Sequence, residues 1–238
     1  MASAKAVLGN VLGRFLFHDV SVTAVREVAP RFREVEFEGQ ALRGLEWSAG
    51  DKVQVFLPET GMRTYTPLRW DAQTGRTTFL IYLHGETPGA SWGRALHVGA
   101  PARFFGPRRS LSLDDVDGPL VFFGDETAFG VAHALARART SRELIPVFEV
   151  TRRAECAPVL RELGFEDRDV ERTAGEAHLA EVHERLRSAL QARPGACLVM
   201  AGKAQSIQTL KARLKTDGAQ GHPTRVKPYW SVGKTGLD

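Results

Sequence analysis

The hydrophobic positions of this chain follow one rhythm up to about residue 115 and another from residue 119 onward. In the first stretch short runs alternate apolar and polar residues, the spacing of strands that bury one face. "HDVSVTAVREVAP" places Val20, Val22 and Ala24 on one face, and "FREVEFEG" sets Val35 and Phe37 between charges. "DKVQVFLP" carries Val53 and Val55 after the Gly50-Asp51 turn. "GMRTYT" is a shorter strand that ends or becomes an edge at Pro67, which lacks a ladder donor and fixes its own φ. "RTTFLIYLHG" lines up Phe79, Ile81 and Leu83, and "APARFFGP" closes the series. The pattern predicts about six antiparallel strands with one short helix near Trp92, a small Greek-key β-barrel.

The second rhythm begins at Asp117-Gly118-Pro119. "PLVFFGD", "ELIPVFEV" and "ACLVMAGK" are continuous apolar runs, as strands covered on both faces require. Between and after them the spacing is helical: Ala128, Val131, Ala132 and Leu135, then "PVLREL", then Leu179, Val182, Leu186 and Leu190. "AQSIQTLKARLKTDG" reads as a helix ended by Gly218, and "RVKPYW" as a last strand. Buried strands alternating with helices predict a doubly wound α/β domain with a parallel sheet. The expected division is 1–118 for the barrel and 119–238 for the α/β domain, an α+β chain of two domains.

Composition narrows this picture only a little. With 238 residues, 43% of them hydrophobic, the chain can bury two modest cores. The net charge of +4 is too weak to argue for nucleic acid, but it suits a small anionic ligand. Two cysteines, Cys156 and Cys197, cannot supply an iron–sulfur cluster or a structural zinc site. One disulfide is open to them, although two ordinary, partly buried thiols are expected. No apolar run approaches 18 residues and the N-terminus shows no signal-peptide pattern, so a soluble cytoplasmic protein, away from membranes and monomeric, is expected.

Arg63 and Tyr65 share a face of the strand that stops at Pro67, with Thr64 and Thr66 opposite. Taken alone, an edge strand with a solvated arginine and a half-buried tyrosine explains them. In company they read differently. "RTYTPLRWD", "HGETPGASWGRALHVGAPARFFGP", "GDETAFGVAHAL", "MAGKAQSIQTLKARL" and "PYWSVGK" follow one another from residue 63 almost to the end. In this order they resemble the siderophore-interacting proteins, flavin-dependent ferric-siderophore reductases of the ferredoxin-reductase superfamily.

That resemblance implies bound FAD and NADPH or NADH as electron donor. It implies Arg63 on the FAD pyrophosphate, Tyr65 against the flavin ring and Thr66 near the reactive nitrogen. Gly89, Ala90 and Ser91 would cradle the pyrophosphate at a helix start, and His84 would line the flavin edge. Trp92 is better read as barrel core. Gly124, Asp125 and Thr127 fall where a parallel sheet binds a dinucleotide, although no G-x-G-x-x-G loop is present and Thr127 serves equally as a helix cap. Arg152 and Arg153 could meet an adenosine 2′-phosphate or form a solvated pair. Tyr229 and Trp230 would fold back beside the flavin, or simply seal the sheet edge. Lys203 and Lys234 are candidate contacts for an anionic ferric chelate. The family's usual pattern differs at Lys203, Pro228 and Ser231.

The implied reaction passes electrons from NAD(P)H through FAD to Fe(III) in a siderophore. Hard oxygen donors hold Fe(III) better than Fe(II), so reduction loosens the metal. No protein ligand to iron is required, and the catalytic chemistry belongs to the flavin. Two alternatives share these observations: a reductase of free flavin, quinone or an electron carrier, and a chelate-binding protein without activity.

Overall fold

A computed structural model describes residues 17–58, 60–138, 142–218 and 221–233. Lys234 and the N-terminal segment read for a signal peptide lie outside the described residues.

Among the described residues the first half forms seven strands: β1 (Phe17–Ala29), β2 (Phe32–Glu38), β3 (Lys52–Leu57), β4 (Gly61–Tyr65), β5 (Arg69–Asp71), β6 (Arg76–Tyr82) and β7 (Pro101–Arg108). They make one antiparallel sheet in the order β4-β3-β7-β1-β2-β6-β5. β7 returns to lie between β3 and β1, the crossing expected of a Greek key. The sheet wraps one core in which Val22, Val35, Phe37, Val55, Phe79, Ile81 and Phe104 meet, the faces set by the alternating pattern. The short helix α1 (Pro88–Ala95) covers this core, with Trp92 stacked on Phe37 at 6.1 Å.

The strand count departs from the six expected. After Pro67 the chain crosses to the opposite edge of the sheet and re-enters as β5, whose Arg69, Trp70 and Asp71 pair with Thr78, Thr77 and Arg76. Proline denies one donor to β4, but Leu68 already donates to Thr78 at 2.8 Å. Three residues carry too little periodicity to be read as a strand.

The second half is a five-stranded parallel sheet, β10-β9-β8-β11-β12, from β8 (Leu120–Gly124), β9 (Leu144–Val150), β10 (Asp169–Glu171), β11 (Cys197–Lys203) and β12 (Thr224–Trp230). Alternate side chains of the apolar strands go to opposite faces. Phe122, Phe148 and Val199 pack with helices α2 (Phe129–Ala138) and α3 (Arg153–Leu163). Phe123, Val147 and Met200 pack with α4 (Leu179–Gln191) and α5 (Ala204–Thr216). The first of these cores also takes in Ala29, Phe32, Leu111, Leu113 and Val116, so the two halves share buried surface. Cys156 and Cys197 are both fully buried and are not joined in the disulfide left open by the sequence, and they lie deeper than expected of partly buried thiols.

Candidate functional site

The stop at Pro67 fixes the first corner of the site. β4 ends at Tyr65, and the register Val55↔Arg63 and Val53↔Tyr65 puts both side chains on one face. Tyr65 stacks on Phe79 at 5.8 Å and 11°, and its hydroxyl reaches the Gly89 carbonyl at 3.5 Å. Burial raises the phenol above its ordinary range, with the Arg63 charge working the other way. Arg63 donates to the carbonyls of Thr60 at 2.9 Å and Met62 at 2.8 Å.

Opposite them, Thr87 caps α1 by accepting from the Ala90 amide, and Pro88 occupies the first turn, where its missing donor costs nothing. The Ser91 amide also turns back, to the Thr87 carbonyl at 2.9 Å. Of the expected cradle, Ala90 and Ser91 therefore spend their amides inside the turn. Gly89 is the point of close approach: a Cβ there would lie 3.0 Å from the Tyr65 hydroxyl. An arginine, a helix N-terminus and a glycine that keeps the surface open fit the anionic pyrophosphate of a flavin dinucleotide.

The second corner lies at the carboxyl ends of the parallel strands, where open sheets bind ligands. A Cβ at Gly124 would press to within 2.7 Å of Ala128, so only glycine lets the chain turn there. Asp125 follows, fully buried, and accepts from the Thr127 amide at 2.9 Å; the aspartate is the cap and Thr127 is the residue capped. Its other oxygen accepts from the Lys203 amide at 2.8 Å and from Trp230 Nε1 at 2.7 Å. Burial and the neighbouring Glu126 push this carboxyl up to about 6, against the pull of Arg172 and Thr127. The adjacent Tyr229 brings its hydroxyl to 3.3 Å from Thr66 Oγ1, just after β4. Burial pushes that phenol up to about 12. The strand-terminal threonine and the C-terminal aromatic pair, distant in sequence, thus meet.

A polar network here had no motif to announce it. Arg172 donates to Glu126 at 3.0 Å and to Thr151 Oγ1 at 2.8 Å, and approaches Glu149 at 3.4 Å. Burial opposes its charge, yet Glu126, Glu149 and Asp125 hold the guanidinium above its ordinary value. His178 Nε2 lies 2.9 Å from Glu149. One signal was available: Glu149 interrupts an otherwise apolar buried strand, and a buried charge demands a partner. Tyr82 extends the network to the barrel, 3.5 Å from Glu126, and the exposed His84 stacks on Tyr82 at 5.6 Å.

The remaining candidates are cations already paired within the chain. Arg152 forms an exposed pair with Glu155 at 3.1 Å. Arg153 is bound by Asp169 at 2.7 Å, and its amide by Glu171 at 2.8 Å. The Lys203 ammonium is held 2.6 Å from Glu176, which offsets the charge expected to attract a chelate. Among the described residues no cluster of three or more His, Cys, Asp or Glu side chains is arranged to hold a metal ion. No helix among them is long and apolar enough to cross a membrane.

Residues 59–111 match the siderophore-interacting FAD-binding domain family. No curated protein sequence matches the chain. Solved structures match it along most of its length. A siderophore utilization protein from T. fusca is 24% identical with a TM-score of 0.71, over 93% of this chain and 95% of that one. The siderophore-interacting protein SipS from Aeromonas hydrophila is 17% identical with a TM-score of 0.72, over 92% and 93%. A phthalate dioxygenase reductase is 12% identical with a TM-score of 0.73, over 93% of this chain and 71% of that one. The chain therefore has a ferredoxin-reductase-like fold, and within it residues 59–111 match the siderophore-interacting FAD-binding family.

Proposed function

We propose that the protein is a flavin-dependent reductase that passes electrons from NAD(P)H through FAD to Fe(III) held in a siderophore. The observation that carries this reading is the meeting of Thr66, at the end of the strand bearing Arg63 and Tyr65, with Tyr229 of the C-terminal pair. When bound, FAD would accept a hydride and release single electrons, chemistry that no side chain supplies. Arg63 and the Gly89 turn bind the pyrophosphate. Thr66 and Tyr229 close one side of the ring site and exclude water from it. Gly124, Asp125 and Thr127 shape the turn at the nucleotide crevice, and Arg152 is the exposed cation on its rim. The ferric chelate is substrate and needs no protein ligand to iron.

The test is an absorption spectrum of the purified protein, then anaerobic NADPH or NADH, then a ferric siderophore. Flavin bands that bleach with nucleotide and return with chelate, as Fe(II) appears, are expected. The fold likeness to phthalate dioxygenase reductase supports a second reading, in which the acceptor is an electron carrier. Bleached bands that return with a carrier or a quinone and not with chelate would select it. A protein that binds chelate yet holds no flavin would instead be a carrier of chelates.

A further inference from the structure

Three strand ends at the crevice are built around a single carboxylate. Asp125 directly follows β8, and one of its oxygens accepts from the Lys203 amide of β11 and from the Trp230 indole of β12. Its other oxygen accepts from the Thr127 amide. Gly202 makes room for it: a Cβ at that position would lie 2.6 Å from the Asp125 carboxyl carbon, and the backbone takes φ +108°. At the same place the β11–β12 register slips, from Gly202↔Pro228 to Lys203↔Trp230. Tyr229 is the extra residue of that bulge. Bulges re-aim side chains, and this one turns Tyr229 across to the other half of the molecule, onto Thr66.

We propose that Asp125 is a positioning residue for electron transfer: it anchors Trp230 at the bulge, and so sets Tyr229 against the end of the flavin-binding strand. The inference rests on the flavin reading above. Capping a three-residue 3-10 turn needs one acceptor, which a serine provides as well as an aspartate. The second carboxylate oxygen serves two other strands, so capping does not account for it. A direct nucleotide ligand needs an accessible oxygen, and Asp125 has none to offer, being fully buried with both oxygens already accepting from the chain.

The variants are Trp230→Phe, which removes the indole donor and keeps an aromatic, Asp125→Asn, which keeps the shape but leaves one accepting oxygen, and the double variant. Each is compared with wild type at equal flavin content, by the visible flavin spectrum and by kcat and KM for NADPH and NADH. Each single variant is expected to change the flavin band shape and lower kcat about tenfold, the effect of losing one hydrogen bond to a buried charge. The double variant should do no more than the worse single. Additive losses would overturn the proposal. So would an unchanged flavin spectrum, or an effect confined to nucleotide KM that Asp125→Asn retains in the Trp230→Phe background. Thermal unfolding of the flavin-free protein tests the anchor separately: non-additive Tm losses support it and additive losses refute it. A wild type that never binds flavin would refute the functional reading and leave that second result standing.

Discussion

Arg63 is the side chain whose loss should be felt first, since a guanidinium facing a phosphate makes charge-assisted hydrogen bonds. Arg63→Ala is expected to weaken FAD binding by about 1.5–3 kcal/mol, or roughly ten- to a hundredfold. Titration of flavin-free protein, followed by quenching of flavin fluorescence, measures this, and an unchanged Kd would remove Arg63 from the site. Asp125 should show itself through pH. Its carboxyl is pushed up to about 6 in the fold, so the native state binds that proton more tightly than the unfolded chain does. The stability it contributes is therefore present at low pH and falls as pH rises from about 4 to about 6. Glu126, Glu149 and Arg172 face the same carboxyl, so the step belongs to the cluster. The Tm difference between wild type and Asp125→Asn should be larger at pH 4.5 than at pH 7. A difference that stays constant would show that the donors from Trp230, Lys203 and Thr127 cancel the cost of burial.

At the scale of elements, the β11 end depends on a glycine that packing makes obligatory. Gly202→Ala combines an unfavourable φ with a clash against Asp125, and should cost about 1–3 kcal/mol. Thermal unfolding reads the loss, and a wild-type Tm would mean that the strand end can move aside. The start of α3 separates two neighbouring arginines. Arg153 holds the buried Asp169, so Arg153→Ala should lower Tm. Arg152 is exposed, so Arg152→Ala should leave Tm unchanged and lower the preference for NADPH over NADH. Equal nucleotide ratios in wild type and Arg152→Ala would make Arg152 an ordinary solvated charge. The longer elements were legible because their periods repeat over five or more residues. β5 and β10, three residues each, were not, since pairing with a neighbour makes them strands and their own pattern does not.

For the whole molecule, the shared core decides how separable the halves are. The antiparallel sheet ends at Arg108 and the parallel sheet begins at Leu120, and we propose a domain boundary between them, at residues 116–119. Yet Phe32 of the barrel stacks on Phe129 of α2 at 5.7 Å, and Leu111, Leu113 and Val116 are buried in the same cluster. Residues 119–238 expressed alone should therefore expose apolar surface, bind a hydrophobic dye and unfold below the full chain's Tm. Adding residues 1–118 should reverse this. A stable second half that ignores its partner would show the shared core to be dispensable.

What the sequence determined was everything that local periodicity and short spacing encode: the barrel rhythm, the buried parallel strands, the stop at Pro67 and the pairing of Arg63 with Tyr65 on one face. Tertiary structure decided the rest. Arg172, Glu126, Glu149 and His178 form a network because four separate elements end at one crevice, and no spacing along the chain records that. Lys203 looked like a cation for substrate until the fold set Glu176 beside it. The register slip opposite Gly202, which turns Tyr229 toward Thr66, follows from the pairing of two strands around a buried carboxylate. A single strand specifies which residues alternate; only its neighbours fix where the alternation breaks.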